Sequence, residues 1–223
     1  MIKLCIFDMD GLLIDSERYM WNVSMDRASR KQGRIISQEF HNSLMGMNRA
    51  STAKIIQEEF GKDFDVDAFY KAVDQENMAI IESGIPMMKG AIELLNFLRS
   101  EGIKTCIGTS TPRKETNKIL KANNIVDYFD DMVCGDEIEH GKPSPDTYLK
   151  CYEKFNFKKS EVLVFEDANS GAIAALEAGL RLVLVPDLAY ISEDSKNRAF
   201  KVLEDLSQII DIIKEENERT ISI

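Results

Sequence analysis

The sequence lacks closely spaced cysteines and long apolar runs. Its four cysteines, Cys5, Cys106, Cys134 and Cys151, stand far apart with no C-x-x-C pair, which favours buried free thiols over a zinc site or a disulfide framework. No apolar run is long enough to span a bilayer, and the N-terminus reaches Asp8 after a single lysine, unlike a secretory signal. We therefore expect a cytoplasmic protein with no membrane partner.

Basic residues are also scarce. Lysine and arginine number 28 against 38 acidic residues, a formal charge of −10, which argues against nucleic acid as a partner because its phosphates attract basic surfaces. A small phosphorylated metabolite is compatible with this charge, since a metal ion and one lysine can reverse the field locally. The 223 residues allow one large domain or one domain with an insert, and nothing in them requires more than a monomer.

What the sequence does contain is a series of short apolar runs, each followed by polar residues. These runs are rich in Val, Ile and Leu, as buried parallel strands are. They cover 2–7, 104–108, 131–134, 161–165 and 181–185. Between and after them, apolar residues recur at helical spacing, as in 91–98, 170–178 and 203–218. The alternation predicts an α/β fold, a parallel sheet with helices on both faces.

One stretch breaks this alternation. It shows no strand pattern, and its helical patterns lie around 17–31, 37–45, 49–60 and 67–82. Such a block after the first strand predicts an inserted, all-helical cap domain. The predicted domains are an α/β core of residues 1–15 and 86–223 and a cap of residues 16–85.

Unusual polar residues stand where the predicted strands end. Asp8 and Asp10 follow the first run, Thr109 and Ser110 the second, Lys142 lies in the loop beyond the third, and Glu166 and Asp167 follow the fourth. Taken singly, these motifs are as typical of a turn, a helix cap or a solvated loop. Their occurrence in order at four strand ends predicts one site, because open parallel sheets bind ligands beyond the carboxyl ends of their strands.

The carboxylates in this set suit phosphoryl transfer through a covalent aspartyl-phosphate. Asp8 is the candidate nucleophile, since a covalent intermediate divides one difficult displacement into two easier ones. Asp10 can protonate the leaving oxygen and then take a proton from the attacking water or alcohol. Asp8, Asp10 and Asp167 offer the carboxylate or carbonyl oxygens that Mg²⁺ prefers. We therefore predict Mg²⁺ as the cofactor.

The remaining members of the set suit binding of the phosphoryl group. Lys142 can balance the charge that builds up when one anion attacks another. Thr109 offers a hydroxyl and Ser110 a backbone N–H to the phosphoryl oxygens. Each role in the reaction thus has a candidate residue.

The motifs resemble those of the haloacid dehalogenase superfamily. The similarity is to its subfamily of β-phosphoglucomutase-like enzymes and sugar-phosphate phosphatases, whose helical cap follows the first strand. The motifs stand here as Phe7-Asp8-Met9-Asp10-Gly11, Thr109-Ser110, Gly141-Lys142-Pro143-Ser144-Pro145-Asp146, and Phe165-Glu166-Asp167 followed by Ser170-Gly171. The resemblance covers essentially the whole chain and implies a Rossmann-like core.

The resemblance also implies roles for individual residues. It makes Asp8 the nucleophile, Asp10 the acid and base, Lys142 the charge clamp and Asp167 a metal ligand. Glu166 would be a metal ligand or a group that supports the ligands. Because the dehalogenases of the superfamily lack the second aspartate, the presence of Asp10 favours phosphotransfer.

A second similarity lies in the predicted cap. Gly46-Met47-Asn48-Arg49 resembles the substrate loop of the mutases, where the arginine binds a substrate phosphate. This implies that Gly46, Asn48 and Arg49 bind substrate. An arginine at the start of a helix can equally be solvated surface, and both interpretations stay open.

Two departures from the mutases decide the predicted reaction. The mutases carry a basic residue just before that glycine and a histidine early in the first cap helix, and these positions are Met45 and Met20 here. We therefore predict a Mg²⁺-dependent phosphatase that hydrolyses a small phosphomonoester, in particular a sugar phosphate. A β-phosphoglucomutase-type mutase is the alternative. A non-catalytic phospho-ligand-binding protein is a third interpretation, which the intact Asp8–Asp10 pair disfavours.

Overall fold

The computed structural model describes residues 1–44 and 49–221. The chain forms two compact units. The first combines Met1–Asp15 with Pro86–Ile223, and the second is Ser16–Ile85.

The first unit is built on a parallel sheet of six strands. They are β1 (Leu4–Phe7), β2 (Lys104–Gly108), β3 (Asp131–Val133), β4 (Val162–Glu166), β5 (Arg181–Leu184) and β6 (Lys201–Val202). Their order across the sheet is β3-β2-β1-β4-β5-β6, and every neighbouring pair is parallel. This is the strand order of the Rossmann fold, so the predicted α/β fold is confirmed.

The helices in the described part of the chain divide between the two units. They are α1 (Ser24–Arg30), α2 (Gln38–Leu44), α3 (Arg49–Phe60), α4 (Val66–Ser83), α5 (Ala91–Ser100), α6 (Arg113–Ala122), α7 (Asp146–Glu153), α8 (Asn169–Glu177), α9 (Glu193–Arg198) and α10 (Ile209–Ile221). A π-helical segment covers Glu17–Val23, and 3-10 turns cover Val126–Tyr128, Gly135–Glu137, Lys159–Glu161 and Leu206–Gln208. None of the helices in the described ranges is long and apolar enough to cross a membrane.

The core of the first unit surrounds the central strand. All four residues of β1 are fully buried, as expected for a parallel strand covered on both faces. Small residues of α8, including Ala172 and Ala175, let that helix pack closely in this core. The four cysteines are buried free thiols, as predicted.

The second unit has a core of its own. Helix α4 buries Phe69 and Val73 in a cluster that includes Met25 and Ala28 of α1. Asp65 begins α4, because its side-chain Oδ1 accepts a hydrogen bond of 2.9 Å from the backbone N–H of Ala68. In the described residues of this unit, every regular element is helical.

Four elements differ from the sequence-based expectation. Strand β6 and helices α7 and α9 were not predicted; they have two, eight and six residues, too few for a clear periodic signal. The final helix starts at Ile209 rather than near residue 203, because Asp205 has extended backbone and caps a 3-10 turn instead.

Asp205 also forms an ion pair and a side-chain cap. Its Oδ1 accepts hydrogen bonds from the backbone N–H and the hydroxyl of Ser207, at 3.0 and 2.5 Å, and its Oδ2 pairs with Lys89 Nζ at 2.7 Å. These donors, Lys89 first, lower the pKa of Asp205 from 3.8 to about 2. A depressed pKa means that this group stabilises the fold above pH 4, and that the contribution is lost as the pH falls towards 2.

Replacing Asp205 by Asn tests this ion pair. The amide keeps an oxygen that accepts from Ser207 but loses the ion pair with Lys89. We expect the free energy of unfolding at pH 7 to fall by about 1 kcal/mol, a modest value because Lys89 is exposed to solvent. The difference from the wild type should shrink as the pH falls towards 2. Urea unfolding across this pH range measures it. Asp211→Asn, at an exposed carboxylate paired with Lys214 at 3.3 Å, is the control and should change stability by only about 0.3 kcal/mol. A pH-independent effect of Asp205→Asn would contradict the assignment.

Candidate active site

The sheet places the ends of β1 and β4 side by side. Phe7 pairs in register with Phe165, and their rings stack with centroids 4.7 Å apart. The next residues along the two strands are Asp8 and Glu166, and the backbone N–H of Asp8 donates to the carbonyl of Phe165 at 3.0 Å. In the sheet, β1 has β2 on one side and β4 on the other. Asp8 and Glu166 therefore lie at the switch point, where the strand order reverses and where such folds bind ligands.

Lys142 joins the two carboxylates. Its Nζ lies 2.5 Å from Oδ1 of Asp8 and 2.7 Å from Oε1 of Glu166. The lysine side chain is only 6% exposed, so both contacts are charge-assisted hydrogen bonds shielded from water. The structure therefore brings together three residues that the sequence placed at three different strand ends.

Glu166 is held on both of its carboxylate oxygens. Besides Lys142, Oε1 accepts a hydrogen bond from the hydroxyl of Tyr148, and Oε2 accepts from the backbone N–H groups of Asp167 and Ala168 at 3.2 and 3.4 Å. Burial, followed by the negative charge of Glu166, raises the pKa of Tyr148 well above its ordinary value, so the phenol stays a donor. Four donors thus fix one buried carboxylate.

Two glycines leave space for the acidic side chains. A Cβ on Gly171 would lie 1.6 Å from Oε1 of Glu166. A Cβ on Gly11 would lie 2.3 Å from Oδ2 of Asp167, and Gly11 has a φ of +77°, which favours glycine. Both glycines belong to the motifs that the sequence analysis singled out.

Asp8, Glu166 and Asp167 form a buried cluster that fits a divalent cation. Each contributes a carboxylate oxygen, and these atoms all lie within 4.8 Å of one another. Burying three carboxylates is unfavourable without compensation, and Lys142 supplies a single positive charge to the cluster. Hard carboxylate oxygens are the ligands that Mg²⁺ prefers, so the donor set is compatible with this ion.

The cluster changes the pKa values of its members. Burial raises the pKa of Asp8 to about 7; the attraction of Lys142 opposes this shift, and the charges of Glu166 and Asp10 add to it. Burial lowers the pKa of the Lys142 ammonium, but the attraction of Asp8 and Glu166 outweighs it, so the net pKa lies above the ordinary value and the amine stays charged. A cation bound to the cluster would favour the ionised form of Asp8.

Asp10 lies outside this carboxylate cluster. Its Oδ2 accepts a hydrogen bond of 2.7 Å from the hydroxyl of Thr111 and a longer one of 3.4 Å from the hydroxyl of Thr109. The Thr109 hydroxyl, which the sequence analysis assigned to a phosphoryl oxygen, therefore points at Asp10 in this structure.

The binding roles of Ser110, Arg49, Gly46 and Asn48 stay predictions. Ser110 is exposed. Arg49, in the second unit, donates two hydrogen bonds of 3.1 Å to the carboxylate of Asp74 and lies 4.3 Å from the ring centroid of Tyr70. Gly46 and Asn48, like Met45 and Met47, lie outside the described residues.

Tyr148 and Thr111 are the site residues that the sequence analysis missed. Tyr148 lies on α7, which was not predicted, although Tyr148, Cys151 and Tyr152 show helical spacing. Thr111 lies two residues after Thr109, in the polar segment that follows β2, and only Thr109 and Ser110 of this segment were predicted to act in the site. Neither has a sequence signal that names its partner, since each bonds a carboxylate far away along the chain.

Comparison with known proteins identifies the family. The sequence profile of the haloacid dehalogenase-like hydrolases matches residues 5–185, most of the chain. This protein belongs to the haloacid dehalogenase-like hydrolase family. The match contains the acidic cluster, Lys142 and Asp10, so the site described above lies in the part of the chain that this family shares.

Several relatives of this haloacid dehalogenase-like hydrolase have assigned activities. A phosphorylated carbohydrates phosphatase of Thermotoga maritima is 33% identical over 182 residues, 82% of this chain and 84% of that protein. (DL)-glycerol-3-phosphatase 2 of Arabidopsis thaliana is 33% identical over 191 residues, 82% of this chain and 78% of that protein. The crystal structure of a Thermotoga maritima protein named "putative beta-phosphoglucomutase" superposes with a TM-score of 0.84 at 29% identity, over 96% of this chain and 99% of that one. The predicted family and the predicted class of enzyme, a phosphoric monoester hydrolase, are confirmed.

Replacing Tyr148 by Phe tests how Glu166 is held in this hydrolase. The change removes one hydrogen bond to a buried carboxylate and keeps the ring, so we expect a loss of about 1.5–3 kcal/mol in unfolding free energy. Turnover should fall about tenfold, because Glu166 and the Lys142 that it contacts lose a fixed position. Urea unfolding and steady-state phosphate release measure the two effects.

Tyr152→Phe is the matched control. Tyr152 lies one turn further along α7, and its hydroxyl donates to the carbonyl of Phe157 at 2.9 Å, away from the cluster. We expect about 1 kcal/mol of destabilisation and unchanged turnover. Equal turnover in the two variants would contradict a role for Tyr148 in the site.

Proposed function

We propose that this hydrolase is a Mg²⁺-dependent phosphatase that forms an aspartyl-phosphate on Asp8. The observation that carries the proposal is the Lys142 ammonium, 2.5 Å from Asp8 and 2.7 Å from Glu166 in a buried setting. An ammonium held there can neutralise the charge of a phosphoryl dianion as the Asp8 carboxylate approaches it. Asp10 serves as the acid and base of both half-reactions.

The metal proposal rests on the donor set. Asp8 and Asp167 would hold Mg²⁺ through carboxylate oxygens, and Glu166 would act as a ligand or orient the other two. The Asp10 carboxylate lies outside the cluster and is assigned to proton transfer, so a ligand from Asp10 would be its backbone carbonyl. When bound, Mg²⁺ would neutralise and orient the transferring phosphoryl group.

The substrate that we propose is a small phosphomonoester metabolite, in particular a sugar phosphate. The two phosphatases described above are named for phosphorylated carbohydrates and for glycerol 3-phosphate. A substrate of this class is compatible with the net charge of −10, because Lys142 and a bound Mg²⁺ would supply positive charge at the site itself. The cap role of residues 16–85, and substrate binding by Arg49, Gly46 and Asn48, belong to the same proposal.

A mutase is the alternative, since the similar Thermotoga maritima protein carries the name "putative beta-phosphoglucomutase". A mutase must hold a bisphosphorylated intermediate and exclude water from its phosphoenzyme. Met20 and Met45 stand where the mutases carry polar groups, and we therefore propose hydrolysis. A mutase would isomerise its substrate without net release of phosphate.

A phosphate-release screen over sugar phosphates and other metabolite phosphates, with and without Mg²⁺, tests the function. We expect release that requires Mg²⁺ and that Asp8→Asn reduces at least about 1,000-fold, since the amide is a poor nucleophile. Circular dichroism should show an intact fold. Asp131→Asn, at the amino end of β3 where the carboxylate pairs with Lys154 at 3.0 Å, is the control and should keep its turnover.

Two outcomes would contradict the proposal. Full activity of Asp8→Asn would exclude the aspartyl-phosphate. An isomerised sugar phosphate without released phosphate, dependent on a bisphosphorylated activator, would establish the mutase instead.

A further inference from the structure

Two threonine hydroxyls contact the same oxygen of the Asp10 carboxylate. Thr111 Oγ1 and Thr109 Oγ1 both contact Oδ2, at 2.7 and 3.4 Å. Within residues 1–44 and 49–221, no protein donor contacts the other oxygen, Oδ1. The two carboxylate oxygens of Asp10 therefore have different surroundings.

The hydrogen bonds also determine where the hydroxyl protons point. The backbone N–H of Thr111 donates to Oγ1 of Thr109 at 3.0 Å, so that oxygen acts as an acceptor there. A hydroxyl has one proton, and the Thr109 proton is left to point at Asp10. Since Oδ2 of the ionised carboxylate accepts from both threonines, a proton carried by Asp10 is favoured on the other oxygen, Oδ1.

Thr111 is itself held in place by its backbone. Its carbonyl oxygen accepts hydrogen bonds from the backbone N–H of Gly135, at 3.0 Å, and from the hydroxyl of Thr116, at 3.3 Å. The donor to Asp10 thus sits on a segment that is tied to the end of β3 and to the first turn of α6. Such a segment can hold a carboxylate in one rotamer.

We propose that Thr111 is a positioning residue, which anchors Oδ2 of Asp10 and presents Oδ1 to the reacting oxygen. The proposal rests on the function proposed above, in which Asp10 is the acid and base. In the first step, an Asp8 oxygen bonds to phosphorus, the ester P–O bond breaks, and the leaving oxygen takes the proton from Oδ1. In the second, a water oxygen bonds to phosphorus, the bond from phosphorus to Asp8 breaks, and Oδ1 takes a proton from the water.

The two steps respond differently to the loss of the anchor when the substrate is p-nitrophenyl phosphate. Its leaving group departs as nitrophenolate and requires no proton, so the first step does not need a well-placed Asp10. Hydrolysis of the aspartyl-phosphate still needs a base to accept the proton of water. A misplaced Asp10 should therefore slow hydrolysis of the aspartyl-phosphate and leave its formation almost unchanged.

The experiment measures nitrophenolate release before and during steady state in Thr111→Val, which has nearly the same shape and no hydroxyl. We expect a burst of about one nitrophenolate per enzyme at a rate within about twofold of the wild type. The steady-state rate should fall at least about tenfold, a part of the 10²- to 10⁴-fold that acid–base catalysis contributes. Thr111→Ser, which keeps the hydroxyl, should restore the steady-state rate to within about threefold.

Thr105→Val is the matched control, because it removes a buried threonine hydroxyl near the amino end of β2 that donates to the carbonyl of Tyr128 and does not contact Asp10. We expect both of its rates to stay within about twofold of the wild type.

Several outcomes would overturn the inference. They are equal losses of burst and steady-state rate in Thr111→Val, no loss of either, or failure of Thr111→Ser to restore turnover. Asp8→Asn in the same assay separates this inference from the function on which it rests. If Asp8→Asn still releases nitrophenolate, the aspartyl-phosphate itself is wrong. If it does not, while Thr111→Val behaves as the wild type, only the role of Thr111 is wrong.

Discussion

The arrangement of the site depends on one buried ammonium that two carboxylates share. Lys142 is almost fully desolvated, and its charge is stable there because Asp8 and Glu166 both contact Nζ. The same contacts offset the electrostatic repulsion between the carboxylates of Asp8 and Glu166, which lie at the ends of adjacent strands. Glu166 then requires further donors on its remaining lone pairs, which Tyr148 and two backbone N–H groups supply. Removing one partner of such a network leaves a buried charge without compensation.

The parallel sheet determines which residues can enter that network. The register between β1 and β4 pairs Phe7 with Phe165. The next residues along the chain are Asp8 and Glu166, so these two acidic side chains are neighbours. Glycine at positions 11 and 171 then allows close approach of the carboxylates to backbone where any Cβ would collide. Together these features concentrate negative charge at one end of the sheet, which favours a cation and a phosphate-bearing ligand that binds with it.

The acidic residues divide into two separate environments. Asp8, Glu166 and Asp167 form a buried cluster, whereas the Asp10 carboxylate is bound by threonine hydroxyls from the end of β2. The neutral threonine hydroxyls hold the Asp10 carboxylate without a formal positive charge beside it, whereas the Asp8 carboxylate contacts the ammonium of Lys142. In the proposed reaction, the two environments correspond to two tasks, bond formation to phosphorus and proton transfer.

The sequence by itself determined the alternation of strands and helices, the positions of the strand ends and the family motifs. Those signals are local: an apolar run of four to six residues and the polar residues that follow it identify a buried strand and its end. Five of the six strands were predicted in this way, and the two-residue β6 was too short to be. Only the tertiary structure decided that Tyr148 bonds Glu166 and that Thr111, as well as Thr109, bonds Asp10. Each of these hydrogen bonds joins different segments of the chain, so its partners follow from strand register and helix packing, which no local pattern encodes.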